Sequence, residues 1–190
     1  ADRSGDGRVN AGPVNAGKLI VGAIVIVAAI AGAVLWYTAE RAYYQPVAFR
    51  PGAEIRLVPL TSDQPEAIIV NGIEGIDADS SPIKFRACFT TPLTLATLTE
   101  TYKDYPDAEP LVAPSDFGCF DAAAIGDALE SGEALAFLSE PNISYGIDRV
   151  VAVMGDGRGF AWNQINACGK EVFEGRPAPE GCPPVPEGLK

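Results

Sequence analysis

The apolar and polar positions divide the chain into one long apolar run near its start and a mixed remainder. Residues 19–37 read LIVGAIVIVAAIAGAVLWY and contain no charged side chain. At about 1.5 Å of rise per residue, a helix of this length crosses a hydrocarbon core about 30 Å thick. The pattern predicts a transmembrane helix over 19–39, a polar leader over 1–18 that is disordered unless bound, and a connector over 40–52.

The charges on either side of the apolar run predict its orientation. Arg3, Arg8 and Lys18 precede the run, whereas Glu40 and Arg41 follow it and cancel. The positive-inside rule therefore places the leader in the cytoplasm and the rest of the chain outside the membrane. The run is longer than the apolar region of a cleaved signal peptide, which is about 7–15 residues. We expect a signal anchor, with the C-terminal domain outside the membrane.

Small residues recur at helical spacing inside the apolar run. Ala28 and Gly32 are four residues apart, as are Ala29 and Ala33. This spacing permits two membrane helices to approach closely, and we take these four residues as a candidate helix-packing face. The alternative is that small residues are simply tolerated in membrane helices.

Aromatic residues cluster at the end of the run where the chain is expected to leave the membrane on its outer side. Trp36, Tyr37, Tyr43 and Tyr44 fit the aromatic belt found where membrane helices meet water. We predict that they are interface anchors in the lipid bilayer.

Downstream of the connector, shorter runs have strand-like or helix-like patterns. Alternating or continuous apolar residues predict strands over 54–58, 67–70, 84–89 and 134–138, and Asn71-Gly72 predicts a turn. Thr91-Pro92 opens a helix that runs to Tyr102, because proline is favoured in a first helical turn. Asp121 is a favourable N-cap for a second helix that ends near Gly132.

The clearest local pattern is a β-hairpin over residues 147–165. Apolar strands over 149–154 and 160–165 flank the glycine-rich turn Gly155-Asp156-Gly157-Arg158-Gly159. Together these segments predict an α+β domain over 53–174, with an antiparallel sheet and about two helices. The segment 175–190 contains five prolines, and we expect an extended tail.

The negative net charge of the chain after the leader disfavours some classes of binding partner. The chain has 14 basic and 25 acidic side chains; after subtraction of the leader, 11 basic and 23 acidic remain. Such a domain is a poor nucleic-acid binder, because phosphate neutralisation needs clustered lysine and arginine. A basic soluble partner, such as a cytochrome c, fits by long-range attraction. The alternative is that the organism's proteins are generally acidic.

The four cysteines, Cys88, Cys119, Cys168 and Cys182, all follow the apolar run. None forms a C-x-x-C pair, so redox and zinc-ribbon sites are disfavoured. Two structural disulfides in an oxidising compartment are the simplest interpretation. Three pairings are open, and we favour Cys88–Cys119 with Cys168–Cys182, since sequential pairs close the shortest loops.

The chain contains no histidine. This excludes Ser-His-Asp and Cys-His catalysis and histidine-ligated metal or haem. Asp77-Ala78-Asp79 begins like a calcium loop, but Pro82 and Cys88 stand where glycine and glutamate are needed, so we predict a capped turn. The sequence predicts no enzyme, no cofactor and no metal site.

Two aromatic residues offer a further choice. Trp162 and Tyr145, near Asp148 and Arg149, form either a recognition patch or part of a small core. We favour the core, which is the more common place for such residues.

Several runs carry a resemblance that extends from about Gly17 to Gly188. They are 75–82 (GIDADSSP), 85–89 (FRACF), 145–153 (YGIDRVVAV), 166–169 (NACG) and 181–184 (GCPP). The chain resembles an uncharacterised family of single-span proteins from alphaproteobacteria. The resemblance implies an inner-membrane anchor with a periplasmic domain, and it implies no activity and no residue role.

These observations lead to two functional hypotheses. The first is a non-catalytic accessory subunit of an inner-membrane electron-transport complex, respiratory or photosynthetic, because a lone span with a small-residue face suits a larger membrane complex. The alternative is a free-standing periplasmic assembly factor or binding protein. A periplasmic enzyme that uses carboxylates or a serine is disfavoured by the absence of histidine.

Overall fold

The protein is described by a computed structural model over residues 16–40 and 44–189, without the side chains of 39 and 40. It divides into two compact units, Ala1–Ala42 and Tyr43–Lys190, and we call the second unit the C-terminal domain. Residues 1–15 of the predicted leader, and Tyr43 of the predicted interface anchors, lie outside the described residues.

The described residues of the first unit form one helix, α1 (Ala16–Glu40). Its stretch Ala16–Thr38 has a mean hydropathy of 2.8, and none of this stretch is buried against other residues. Because a helix advances by about 100° per residue, Ala28, Ala29, Gly32 and Ala33 share one stripe. Helix α1 therefore has the length and composition of a single-pass membrane segment or of a signal sequence.

The described residues of the C-terminal domain form eight strands. They are β1 (Gln45–Pro46), β2 (Arg56–Leu57), β3 (Glu66–Ala67), β4 (Asn71–Asp77), β5 (Arg86–Thr90), β6 (Ala134–Ser144), β7 (Ile147–Met154) and β8 (Arg158–Ile165). Six of them make one antiparallel sheet in the order β1-β4-β5-β8-β7-β6, and β2 pairs with β3 in a second sheet. The predicted α+β class is confirmed.

The predicted hairpin is present as β7 and β8. Val153 pairs with Gly159 and Ile147 with Ile165, so the two strands are in register along their whole length. Gly157 has φ +89° in the connecting turn, a conformation that glycine adopts without steric cost.

Within the described part of this domain, three α-helices accompany the sheet: α2 (Leu95–Thr101), α3 (Ala122–Ser131) and α4 (Ala167–Phe173). As predicted, the side chain of Asp121 caps α3, and left-handed Gly132 ends it. Helix α2 begins later than predicted, at Leu95, because Thr94 accepts the N–H of Thr97 and Pro92 lies before this cap. Helix α4, which was not predicted, is capped by Asn166.

The turn predicted at Asn71-Gly72 is wrong. These residues begin β4, and Asn71 pairs with Thr90 on β5. The register shifts between Asn71 and Glu74, and Gly72 has φ +59°, so the turn-forming dipeptide creates an irregularity at the start of a strand.

The sheet has an apolar core on each face, as the period-2 alternation of its central strands requires. On one face, Phe89, Val151 and Ala161 pack with Leu57 of β2 and Leu98 of α2. On the other face, residues of β5, β7 and β8 pack with α3 and with residues 103–121, which we call the covering segment. These strand residues are Cys88, Val150, Ala152, Phe160 and Trp162.

Trp162 lies in the core, the interpretation favoured from the sequence. It is 0% exposed and meets the ring of Phe120 edge-on at 6.2 Å. Asp148 and Arg149 are adjacent on β7 and therefore point to opposite faces of the sheet. Arg149 stacks on Phe85, with 3.8 Å from its guanidinium carbon to the ring centroid. These residues do not form one recognition patch.

Part of the predicted connector belongs to the C-terminal domain. The N–H of Val47 donates to the carbonyl of Gly75 at 2.9 Å, and Phe49 packs edge-on against Phe85. Tyr44 also lies in this domain, where the ammonium of Lys84 sits 5.3 Å from its ring centroid. In the tail, Cys182 is half-buried, and a short 3₁₀ turn covers Glu187–Leu189.

Two disulfides cross-link the C-terminal domain, in the pairing favoured from the sequence. Cys88–Cys119 joins β5 to the covering segment, across 31 residues of chain. Cys168–Cys182 joins α4 to the tail, across 14 residues. Such links are characteristic of an oxidising compartment.

We expect the two disulfides to contribute to different events. Removal of Cys88–Cys119 by paired alanine substitutions should lower the free energy of unfolding by about 3–4 kcal/mol, because a long loop is freed in the unfolded chain. Removal of Cys168–Cys182 should mainly expose the tail to protease. Urea denaturation and limited proteolysis distinguish the two results, and a larger loss of global stability in the second variant would contradict the expectation.

Candidate functional site

A cavity of about 770 Å³ lies at the end of the sheet where β7 begins and β8 ends. We call it the Asp148 cavity. Its polar lining comprises Tyr105, Asp107, Glu109, Asp148, Gln164 and Lys170, among others. The volume falls within the range of small-molecule sites, which is about 300–1,000 Å³.

Asp148 lies at the inner wall of this cavity and is 8% exposed. Its Oδ1 accepts the backbone N–H of Asn142 and the Nδ2 of Asn166, both at 2.8 Å. Its Oδ2 accepts the hydroxyl of Tyr105 at 3.1 Å. A side chain that only accepts hydrogen bonds has the pattern of a carboxylate. Among the described residues, no lysine or arginine nitrogen lies within 4.0 Å of Asp148, so neutral donors alone stabilise its charge.

Tyr105 is held as a hydrogen-bond donor. Burial raises the pKa of its phenol far above the ordinary value, and the charge of Asp148 raises it further. The backbone N–H of Tyr105 donates to the carbonyl of Ala136 at 2.9 Å, which attaches the covering segment to the edge strand β6. Because its pKa is raised, the phenol stays protonated at physiological pH.

Gln164 joins the covering segment to the sheet. It is 4% exposed. Its Oε1 accepts the indole N–H of Trp162 at 2.9 Å and the backbone N–H of Glu109 at 2.8 Å. Its Nε2 donates to the carbonyl of Asp107 at 2.9 Å. One amide thus satisfies a buried tryptophan and fixes the chain at 107–109, the rim of the cavity.

Helix α4 packs on the turn between β6 and β7 by a contact between two glycines. A Cβ on Gly169 would lie 2.3 Å from the carbonyl oxygen of Gly146. Asn142, at φ +48°, accepts the N–H of Gly146 with its side chain at 3.1 Å. Asn166 caps α4 and donates to Asp148, so the helix, the turn and the buried carboxylate form one unit.

The predicted capped turn after β4 is present. Oδ1 of Asp77 accepts the N–H of Ala78 at 2.8 Å, and Ser81 donates its N–H to the carbonyl of Ala78 at 3.3 Å. Within the described residues, no three acidic or cysteine side chains are grouped so that they could hold a metal ion.

Of the residues singled out from the sequence, Cys168 and Asp148 line the Asp148 cavity. The small residues Ala28, Ala29, Gly32 and Ala33, like Trp36 and Tyr37, belong to α1. The cavity itself was not predicted. Its one sequence signal is that Asp148 and Gln164 share a strand face with the apolar residues Val150 and Trp162, where a polar residue needs a partner.

We expect Tyr105→Phe to lower the free energy of unfolding by about 1.5–3 kcal/mol, because it removes a hydrogen bond to a buried charge. Tyr145→Phe is the matched control: the buried hydroxyl of Tyr145 has no hydrogen-bond partner among the described residues. Equal losses in both variants, measured by urea denaturation, would contradict a stabilising role for the Tyr105–Asp148 bond.

Alanine substitution at two helical glycines should change the stability of the domain in opposite directions. Gly169→Ala should destabilise the domain by about 1–3 kcal/mol, because its Cβ would collide with rigid backbone. Gly126→Ala, in α3, meets nothing within 4 Å and should stabilise by about 0.5–1 kcal/mol. Thermal unfolding of both variants is the measurement, and a neutral Gly169→Ala would contradict the close packing of α4.

Comparison with known proteins gives a family and no activity. Residues 55–183 match the model of a family of unknown function, DUF6446. No curated protein and no solved structure shows significant similarity to the chain. The matched region begins after α1 and contains both disulfides and the Asp148 cavity. Because it covers more than half of the chain, the protein belongs to the DUF6446 family.

Proposed function

We propose that the protein is a non-catalytic accessory subunit of an inner-membrane electron-transport complex, respiratory or photosynthetic, in an alphaproteobacterium. The observation that carries the proposal is α1, an apolar helix of 25 residues with a continuous small-residue stripe. A single span of this kind anchors a domain and offers one face to a larger membrane protein.

The periplasm is the compartment that fits the C-terminal domain. Both disulfides lie in this domain, and the bacterial periplasm is oxidising. The basic leader and the nearly neutral exit side of α1 favour the same orientation.

The stripe on α1 supports docking within the bilayer. A Cβ added to Gly32 would meet nothing within 4 Å, so this surface is open to a second helix. Close contact through small residues allows backbone packing, which drives association where the hydrophobic effect is absent.

The charge of the domain supports a soluble basic partner, for which an electron carrier such as a cytochrome c is our choice. Attraction over several ångströms raises the rate of encounter and falls with salt. The state of the polar side chains supports a binding role over a catalytic one. Tyr105 is a fixed hydrogen-bond donor to Asp148, and the chain has no histidine to exchange protons near neutral pH.

The alternative, a free-standing periplasmic assembly factor or binding protein, is favoured by the Asp148 cavity. A preformed concave site suits a protein that captures a ligand on its own. Native gels after gentle detergent extraction distinguish the two functions, because a subunit comigrates stoichiometrically with a large complex and a free-standing protein does not.

Topology is tested by a reporter fused after Lys190. We expect a reporter that is active only in the periplasm to be active in this fusion, because the positive charges precede α1. Activity of a cytoplasmic reporter in its place would reverse the orientation.

Docking through α1 is tested by Gly32→Leu, with Ala23→Leu on the opposite face of the helix as the matched control. Leucine favours insertion, so both variants should reach the membrane. Gly32→Leu should weaken association, because its side chain separates the backbones, and we expect a loss comparable to the about 1–2 kcal/mol that polar contacts contribute between model membrane helices. Comigration on native gels is the measurement. If Gly32→Leu and Ala23→Leu both comigrate like the unaltered protein, the stripe does not dock.

A further inference from the structure

We propose that the Asp148 cavity binds a primary ammonium group on a short aliphatic chain. This inference goes beyond the proposed function and does not depend on an electron-transport partner. It rests on the buried charge, the rim and the walls of the cavity.

The buried charge of Asp148 lacks a cation. A carboxylate that is removed from water loses favourable hydration, and a nearby positive charge restores part of that energy. The described residues supply Asp148 with three neutral donors and no ion pair. Its Oδ2 accepts only the Tyr105 hydroxyl, and a carboxylate oxygen can accept two hydrogen bonds. An ammonium N–H in the cavity would use this remaining acceptor.

The rim adds negative charge in front of Asp148. Asp107 and Glu109 are exposed and line the cavity, and Lys170 is the single cation among its lining residues. Carboxylates around a concave low-dielectric wall concentrate the field and attract cations. The rim therefore favours a cationic ligand and disfavours phosphate or carboxylate ligands.

The walls limit the type of cation. Pro106, Ile165, Ala167 and the disulfide of Cys168 give the cavity apolar surface, which suits an aliphatic body. Tyr105 is the only aromatic ring among the lining residues, and one ring is not the aromatic cage that recognises quaternary ammonium groups. A primary ammonium, with hydrogen-bond donors for Oδ2, fits better.

The cavity is also fixed before any ligand enters. Gln164 holds the chain at Asp107 and Glu109, while Asn166 and the Cys168–Cys182 disulfide hold α4. A preorganised wall loses little conformational entropy on binding, so a few polar contacts suffice for selectivity.

The test is calorimetric titration of the full chain in detergent with 1,4-diaminobutane and, separately, with Nα-acetyl-lysine methylamide, whose side chain carries a free ammonium group. We expect binding of at least one, and none of 1,4-butanediol, which lacks the charge. Preference for the diamine identifies a free small molecule as the source of the ammonium. Preference for the lysine derivative identifies a protein side chain. Failure of both amines to bind, or equal binding of the diol, overturns the proposal.

Two double variants and one single variant localise the binding. Asp107→Asn with Glu109→Gln should weaken amine binding about fivefold, the loss expected from two exposed charges. Asp127→Asn with Glu130→Gln, on exposed positions of α3, makes the same change of net charge away from the cavity and should have little effect. Asp148→Asn should abolish binding in protein whose fold is intact by circular dichroism. Equal weakening by both double variants would overturn the assignment to this cavity, whether or not Asp148→Asn folds.

Discussion

The C-terminal domain depends on a buried guanidinium, whose hydrogen bonds attach to the sheet a segment that has almost no regular secondary structure. The covering segment, residues 103–121, contains no helix and no strand. Its one β-type backbone pairing with the sheet is an isolated β-bridge between Asp104 and Phe137. Its carbonyls still need donors where they are removed from water. Arg86, 3% exposed, donates to the carbonyls of Leu111 at 2.8 Å and Val112 at 3.2 Å, and also to those of Ile83 and Phe85. Burial lowers the pKa of Arg86, yet an arginine stays charged, so these bonds are charge-assisted.

The location of the Asp148 cavity follows from this attachment. Arg86 and the Cys88–Cys119 disulfide fix one half of the covering segment over Trp162 and Phe160. Gln164 fixes the other half at Asp107 and Glu109, near the sheet end. Helix α4 closes the remaining side, because Gly169 allows it to approach the turn at Gly146. The cavity is the space left between two attached pieces of chain, and its rim is as rigid as those attachments.

The sequence predicts best where the determining contacts are local. The β7–β8 hairpin, the Asp121 cap and the apolar helix each depend on neighbours in the chain, and each prediction agrees with the structure. The turn prediction at Asn71-Gly72 is wrong because Asn71 pairs with Thr90, a partner distant in the chain, and this pairing outweighs the local turn preference. Helix α4 was missed because seven residues contain too few apolar positions to show a helical period.

The candidate site illustrates the same limit. Asp148 and Gln164 pair across the β7–β8 hairpin, but Tyr105 comes from the covering segment, and no spacing in the sequence connects it to them. An alternation rule identifies Asp148 and Gln164 as polar residues at inward positions, but their partners depend on where the covering segment lies. That path is set by Arg86, whose carbonyl acceptors are irregular backbone with no residue signature.

The distinction between the exposed and the buried acids decides how selective this domain can be. Exposed carboxylates attract any cation, and salt at 0.1 M ionic strength screens that attraction at separations beyond about 10 Å. Asp148 is different, since its charge is fixed by Tyr105, Asn142 and Asn166 at one point of a concave wall. A ligand gains from it only if a donor reaches Oδ2 while its body fits the cavity. Under the proposed amine binding, the acidic surface would account for how fast the amine arrives, and the buried carboxylate would account for which amine stays bound.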